Sequence, residues 1–302
     1  MDTVPRTRRR DFLLGTAAAG LALAQGEAAL SDEPKAAKTT EPKSDDVPLW
    51  LCVDRTLPPE RLEQGFALAV RENRENDVLG TYRNSKAIEK PAPLGTPRAA
   101  MDYAKKWAQN RVLRVLFLEG DPKVHDRVMH FAKVWEDHVN IKFERVKAAP
   151  AEVRVAFQRS LGSWSYLGTD NLGIPPGLPT MNFGWLDRNS DDKTYSSVVL
   201  HEFGHLLGLV HEHQSPSSGM RWNRQRVIDD CWRSQGWDAE QVQRQIFDRY
   251  PASQTQYTKL DLTSIMMYPF SKEWNLDEVG TPWNTQLSAM DIDFMRRQYP
   301  KA

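Results

Sequence analysis

His201-Glu202-Phe203-Gly204-His205-Leu206-Leu207-Gly208-Leu209-Val210-His211 is the stretch that decides the fold of this chain. Residues four positions apart lie on one face of a helix, so His201 and His205 can hold one metal ion between them. A third ligand ten positions after the first would lie off that face if the helix continued. Because glycine tolerates a left-handed backbone, the helix can end at Gly208, and the chain can then turn His211 back towards the metal.

The donor set predicts the metal and the reaction. Three neutral imidazoles leave the full charge on a bound zinc ion, and three protein ligands leave one coordination position for water. Zinc lowers the pKa of such a water from about 16 towards about 7. Glu202 is next to His201 but off the ligand face, where it can take the proton of the water and pass it to the leaving amine. The stretch therefore predicts a zinc endopeptidase that forms no covalent intermediate.

Other interpretations of the histidines fit the sequence less well. A structural zinc site would close its fourth position with protein, usually with cysteine, and neither cysteine is near the stretch in sequence. His213 is a rival third ligand two positions further on, but it would disturb the geometry that the glycine sets. His125, His130 and His138 fall on a separate predicted helix, where we expect them to be exposed or to be hydrogen-bonded within the fold.

The eleven-residue stretch resembles the extended zinc signature of the metzincins, which also carry a methionine turn beneath the zinc. Ser264-Ile265-Met266-Met267-Tyr268 resembles that turn, and Glu212 directly after the third histidine makes the combination similar to the astacin family. The resemblance implies that Met266 packs under the metal and that Tyr268 approaches it to stabilise the transition state. It covers about residues 105–302 and implies Zn²⁺ as cofactor and a peptide or protein as substrate.

Three further features bear on this resemblance. Ser163-Trp164-Ser165-Tyr166-Leu167-Gly168 resembles the edge strand above the astacin cleft, which would bind an extended substrate by main-chain pairing. Trp164 and Tyr166 are equally consistent with ordinary strand residues. Typical astacin domains contain four cysteines in two disulfides, whereas only Cys231 lies in this catalytic region, so those bridges cannot form here. In animal members, the residue that matches Glu212 contacts a buried mature N-terminus.

Around the zinc stretch, the pattern predicts an α+β fold, a mixed α/β arrangement like that of the metzincins. Strands are predicted at 111–118, 141–143, 153–157, 164–168 and 180–184. Helices are predicted after Asp121-Pro122, from about 196, from 223 to 250 with an interruption at Gly236, and from 288 to 299. A strand–helix–strand start implies a crossover and a twisted, mixed five-stranded sheet. The zinc cleft is expected between this sheet and a mainly helical C-terminal part.

The N-terminal part is organised differently. Arg8 to Arg10 precede an uncharged stretch at 12–24 that ends in small residues, the pattern of a cleavable signal peptide. The paired arginines resemble a twin-arginine signal, so we predict an exported protein, either periplasmic or secreted. The predicted divisions are a signal peptide at 1–30, a linker with a small extension or pro-like segment at 31–104, and the catalytic domain at 105–302. The apolar run is too short to span a bilayer, and no other segment predicts a transmembrane helix.

The two cysteines, Cys52 and Cys231, allow two hypotheses for the module at 48–82. In the first, the module is a pro-segment that blocks the cleft, with Cys52 as a thiolate on the zinc. In the second, it is a clasp in which Cys52 is bridged to Cys231 in an oxidising compartment. The clasp, or simple packing of the module, is the favoured hypothesis.

The overall composition limits the classes of molecule that the chain is expected to bind. The chain has 40 basic and 40 acidic residues, so no global field favours nucleic acid or an anionic membrane surface. We expect a monomer that binds a peptide or protein substrate and no nucleic acid. A competing hypothesis from another class is a catalytically silent, zinc-binding recognition domain. Glu202 argues against it, because loss of that carboxylate is the simplest way to abolish catalysis.

Overall fold

A computed structural model describes residues 51–53, 55–77, 101–252, 255–256 and 259–301 of the chain. The predicted signal peptide and most of the predicted linker segments lie outside the described residues. Within the described part, no helix has both the length and the apolar character needed to cross a membrane.

Helices and strands alternate in the first half, and helices predominate in the second. The strands are β1 (Met101–Asp102), β2 (Arg111–Phe117), β3 (Ile141–Val146), β4 (Val153–Ala156), β5 (Ser163–Ser165), β6 (Met181–Phe183) and β7 (Thr255–Gln256). The helices are α1 (Leu62–Glu72), α2 (Pro122–Ala132), α3 (Asp192–Leu206), α4 (Arg224–Gln235), α5 (Ala239–Val242) and α6 (Ala289–Gln298). The strand and helix pattern confirms the predicted α+β class.

The main sheet has five strands in the order β3-β2-β4-β6-β5. Strands β3, β2, β4 and β6 run parallel to one another, and β5 pairs antiparallel with β6 at the edge. The crossover from β2 to β3 passes through α2, as the strand–helix–strand pattern predicted. A separate two-stranded pair joins β1 to β7. The sheet is therefore mixed, with β5 as its antiparallel edge strand.

The zinc-stretch helix α3 is buried along almost its whole length. It begins at Asp192, about four residues before the predicted start, because the side chain of Asp191 caps the helix by accepting from the Thr194 backbone N–H at 2.8 Å. At its other end, the Trp107 indole donates to the Leu206 carbonyl at 2.7 Å and the Tyr299 hydroxyl donates to the Leu207 carbonyl at 3.0 Å. These donors satisfy carbonyls that a helix end leaves without an intrahelical partner.

Other predicted boundaries differ by a few residues. The edge strand is shorter than predicted, because the chain turns into a 3₁₀ segment at Gly168–Gly173. Gly236 ends α4 in a left-handed conformation with φ 69°, at the predicted interruption. The N-terminal module contains α1, with a short 3₁₀ turn at each side.

The buried residues form two large hydrophobic clusters, and α3 belongs to the first of them. The sheet core is built mainly from aliphatic residues of the strands, α2 and α3, together with Met266 of the turn. The aromatic cluster is separate from the sheet core; its buried members include Leu51, Cys52, Trp164, Cys231, Tyr268, Phe270 and Trp274. The zinc stretch belongs to the sheet core, whereas the N-terminal residues Leu51 and Cys52 belong to the aromatic cluster.

Candidate metal centre and active site

The end of α3 brings the third histidine back to the first two. Gly208 has φ 99°, and its N–H donates to the His205 carbonyl at 2.8 Å. The Leu209 N–H donates to the Gly204 carbonyl at 2.9 Å, which closes the helix end in a tight turn. A side chain at position 208 would make this backbone unfavourable. The chain then reverses, and His211 is fully buried beside His205.

Each imidazole is held by a hydrogen bond at its Nδ1 atom. The partners are the Ile265 carbonyl for His201 at 2.8 Å, the Leu209 carbonyl for His205 at 2.8 Å, and Oε1 of Gln214 for His211 at 3.4 Å. Because these oxygens can only accept, each Nδ1 donates and carries the proton. Each Nε2 therefore keeps a lone pair, which is the tautomer that a metal ligand needs.

The three Nε2 atoms point towards one place. Nε2 of His205 and Nε2 of His211 are 3.1 Å apart, and the ring centroids of His201 and His205 are 4.8 Å apart. Two ligand nitrogens at 2.0–2.1 Å from a tetrahedral zinc ion would be separated by about 3.3 Å. Two lone pairs this close repel each other unless a cation lies between them. The residues present therefore fit a zinc ion in both donor type and spacing.

Cys52 belongs to the same cluster. Its Sγ and one nitrogen of each of the three histidines all lie within 4.8 Å of one another. Sγ is also 3.4 Å from Oε2 of Glu202, which is buried. Cys52 and Cys231 are both buried thiols that form no disulfide, so the clasp is wrong, whereas simple packing of the module is not contradicted. The sequence could not reveal this, because the thiol approaches the histidines from a segment about 150 residues away.

The methionine turn supports the cluster from below. A Cβ atom on Gly204 would lie 2.5 Å from Sδ of Met266, so only glycine allows the turn to pack this closely against α3. Asp291 fixes the same turn, since its carboxylate accepts from the Ser264 hydroxyl at 2.7 Å and from the Ile265 N–H at 2.8 Å. The Ile265 carbonyl holds His201, so Asp291 acts on this ring through the turn. Sequence reasoning missed Asp291, although the Ser288-x-x-Asp291 capping box that opens α6 was visible.

Tyr268 lies over the cluster. Its ring centroid is 4.2 Å from that of His211 and 6.2 Å from that of His201. Its hydroxyl donates a hydrogen bond to the carbonyl of Cys52. The tyrosine expected to act near the metal is therefore placed there and, in this structure, is engaged by the N-terminal segment.

The rival histidines are placed elsewhere. Nε2 of His213 lies 3.1 Å from the Gln245 carbonyl, and this residue is not part of the four-residue cluster. His125 stacks on Phe117 with a centroid distance of 4.1 Å, and its Nε2 lies 2.8 Å from the Glu119 carbonyl. Both histidines therefore have partners within the fold.

Glu212 ties the third histidine to the turn. Its N–H donates to the Met266 carbonyl at 3.0 Å, and its Oε1 accepts from the Asp261 N–H at 3.0 Å. Burial raises the pKa of the Glu212 carboxyl to about 8. In this structure, the partner of Glu212 is thus the loop at Asp261, next to the methionine turn.

The residues after Cys52 run along the edge strand. Arg55 forms a parallel bridge with Tyr166, and its guanidinium carbon lies 3.9 Å from the centre of the Trp164 ring. We call the described residues of 51–57 the covering segment. Leu57 ends it by packing against Gly173, where a Cβ atom would come within 2.9 Å of the leucine. Trp164 and Tyr166 thus both lie under this segment.

Comparisons with known proteins agree with this geometry. Residues 99–299 match the family model of the astacins, a family of peptidases. The chain belongs to the astacin family. It is a zinc metalloendopeptidase of mixed α/β fold, and Zn²⁺ is the cofactor of this family.

Two solved structures and one curated protein are also similar to this chain. A structure of myroilysin is 36% identical in sequence to this chain and has a TM-score of 0.66. The match covers 68% of this chain and 100% of the myroilysin chain. A second myroilysin structure is 30% identical over 83% of this chain and all of its own, with a TM-score of 0.52. Interstitial collagenase B of Mus musculus is 24% identical over 50% of this chain. The match spans only 35% of the mouse protein's own length.

Proposed function

We propose that the chain hydrolyses internal peptide bonds at a zinc ion held by His201, His205 and His211. The single observation that carries this proposal is the set of three Nδ1 hydrogen bonds, which orients three Nε2 lone pairs to one point. Zinc would act there as a Lewis acid on the scissile carbonyl and would lower the pKa of the attacking water. The side chains around the cluster would carry out the proton transfers and stabilise the oxyanion.

Glu202 is proposed as the general base and acid. It follows His201 directly on α3, and its carboxylate is buried at the mouth of the cluster, 3.4 Å from the Cys52 thiol. A water in place of that thiol would be within reach of the carboxylate. Glu202 would accept its proton and then return it to the amine that leaves.

Tyr268 is proposed as the hydrogen-bond donor to the oxyanion. Its hydroxyl already donates to a backbone carbonyl, that of Cys52, beside the histidines. A substrate carbonyl in the same position would receive the same hydrogen bond, which becomes stronger as negative charge develops on its oxygen. The alternative, a silent zinc-binding recognition domain, would need neither this donor nor the buried Glu202.

Replacement of the carboxylate tests this proposal. Zinc-loaded Glu202→Gln should bind one zinc ion per chain, as the parent does, and should lose at least 10³-fold in kcat on a casein substrate. Glu240→Gln is the matched control, because that side chain is 81% exposed on α5 and should leave kcat unchanged. Cleavage by Glu202→Gln at the parent rate would contradict the assigned role.

We also propose that the described conformation is latent, with Cys52 as a fourth zinc ligand. The cysteine lies in the cluster, its carbonyl accepts from the Tyr268 hydroxyl, and the covering segment bridges to Tyr166, directly after the edge strand on which a substrate would bind. One segment would thus occupy three positions: that of the attacking water, that of the substrate carbonyl and that of the substrate main chain. This interpretation replaces the clasp and returns to the first of the two hypotheses for this module.

The two cysteine thiols provide a matched test of latency. Zinc-edge X-ray absorption of the loaded parent should show one sulfur neighbour at about 2.3 Å. Cys52→Ala should lack it and should cleave peptides at least tenfold faster, whereas Cys231→Ala should behave as the parent in both respects. A parent spectrum with nitrogen and oxygen neighbours only would contradict the proposal.

Localisation and domain limits remain proposals from the sequence. We infer export through a twin-arginine-type signal at 1–30, a linker and pro-like segment at 31–104, and a monomeric catalytic domain at 105–302. N-terminal sequencing of the protein recovered from the periplasm or medium of a bacterial host would test the first limit. Recovery of uncleaved chain from the cytoplasm alone would contradict export.

A further inference from the structure

We infer that a pocket beside Glu202 selects an apolar side chain of the peptide substrate next to the bond that is cut. The inference rests on the proposed function and adds a substrate class to it. The pocket adjoins the metal cluster and the methionine turn. Its walls include Trp185, Ser197, Val198, Met267, Pro269 and Trp283.

The position of the pocket follows from α3. Ser197 precedes His201 by four residues and Val198 precedes Glu202 by four, so each lies one helical turn behind a residue of the site. A substrate whose carbonyl lies between the zinc site and Tyr268 would therefore place a neighbouring side chain over this turn of the helix. The pocket is thus directly next to the proposed position of the reacting bond.

The chemistry of the lining determines which side chain fits. Two indoles, a valine, a methionine and a proline offer apolar surface, and no described lining residue is a lysine, an arginine or an aspartate. The ionisable lining residues, Glu202 among them, all belong to the site already described. A substrate carboxylate would lose its water without gaining a cation, and it would face the Glu202 carboxylate. An apolar side chain would instead gain free energy in proportion to the surface that it buries.

Two walls of the pocket are fixed by the fold. Trp185 packs against Gly162, where a Cβ atom would lie 3.4 Å from the indole, so its ring is supported from behind. Met267 belongs to the turn that the Asp291 carboxylate holds. Trp283 is 36% exposed and forms the outer rim. The rim can therefore be altered with the least disturbance to the fold.

The experiment uses the full-length, zinc-loaded chain carrying Cys52→Ala and pairs of peptides that differ at one residue. Each pair has Phe or Asp at one of the positions flanking the cut, and kcat/KM is measured by mass spectrometry. We expect a preference for Phe of at least tenfold at one adjacent position. Trp283→Ala should reduce this preference at least threefold, and Ser197→Arg should shift it towards Asp, because it adds a cation to the pocket.

Controls separate the inference from the function on which it rests. Trp232→Ala is the matched control, because that indole is 63% exposed on α4 and should leave the preference unchanged. Zinc content checks the folding of each variant, and Trp283→Ala decides alone if Ser197→Arg binds no zinc. Equal rates for Phe and Asp at every position, or equal ratios in Trp283→Ala and Trp232→Ala, would overturn the inference. A zinc-loaded chain that cuts no peptide would instead overturn the proposed function.

Discussion

Two parts of the molecule meet at the metal cluster, and different kinds of contact hold them in place. The histidine wall, formed by α3 and the methionine turn, is anchored by interlocking contacts: Ile265 holds His201, Asp291 holds Ile265, and Gly204 packs against Met266. The covering segment is held near the cluster by separable contacts. They include a hydrogen bond from Tyr268, a hydrogen bond from the Cys52 thiol to Glu202, a bridge to Tyr166 and a cation–π contact with Trp164.

The difference suggests a division of tasks. Loss of any contact in the histidine wall shifts a ligand, because each member positions the next, and such networks respond to single changes by several kcal/mol. Loss of one contact in the covering segment removes only that contact. We therefore expect the wall to behave as part of the core and the segment to detach in a local opening, with the fold intact.

Removal of zinc should have the largest effect on the histidine wall. At free zinc about a thousandfold above its Kd, the ion should stabilise the folded chain by about 4 kcal/mol. A chelator should therefore lower Tm, and added zinc should restore it, because His205 and His211 otherwise face each other with 3.1 Å between their Nε2 atoms. In His205→Ala the chelator should have little effect. The same Tm for the parent with and without chelator would contradict the cluster as a metal site.

Asp291→Asn tests the wall without touching a ligand. The carboxylate accepts from Ser264, from the Ile265 N–H and from the Ser288 N–H, and an amide group would turn its own donor towards one of them. We expect the free energy of unfolding in urea to fall by about 2–3 kcal/mol. Asp293→Asn is the control on the same helix, because its exposed pair with Arg297 should contribute less than about 0.5 kcal/mol. Equal effects of the two variants would show that the wall is no more tightly coupled than the surface.

The same contrast explains what the sequence could reveal. The ligand histidines follow from spacing within one helix and one turn, and the strands follow from local alternation, so both were predictable. The close contact of Gly204 with Met266 and the support from Asp291 depend on residues far apart in sequence. The same is true of Cys52, whose thiol reaches Glu202 through the tertiary fold. Local patterns carry no information on such contacts, and for the thiol they left open a disulfide that the structure lacks.

Arg55→Ala should have the smallest effect, and it should act on the covering segment alone. A partly exposed cation–π contact contributes about 0.5–1 kcal/mol, so the segment should open about two- to fivefold more often. Alkylation of Cys52 in zinc-free protein, followed by mass spectrometry of its peptide, should accelerate by that factor, while Cys231 and the free energy of unfolding by urea stay as in the parent. Arg71→Ala is the control, because Arg71 is an exposed residue of α1. If Arg55→Ala lowered the free energy of unfolding as much as Asp291→Asn does, the covering segment would be part of the cooperative core. The proposed difference between the histidine wall and the covering segment would then be wrong.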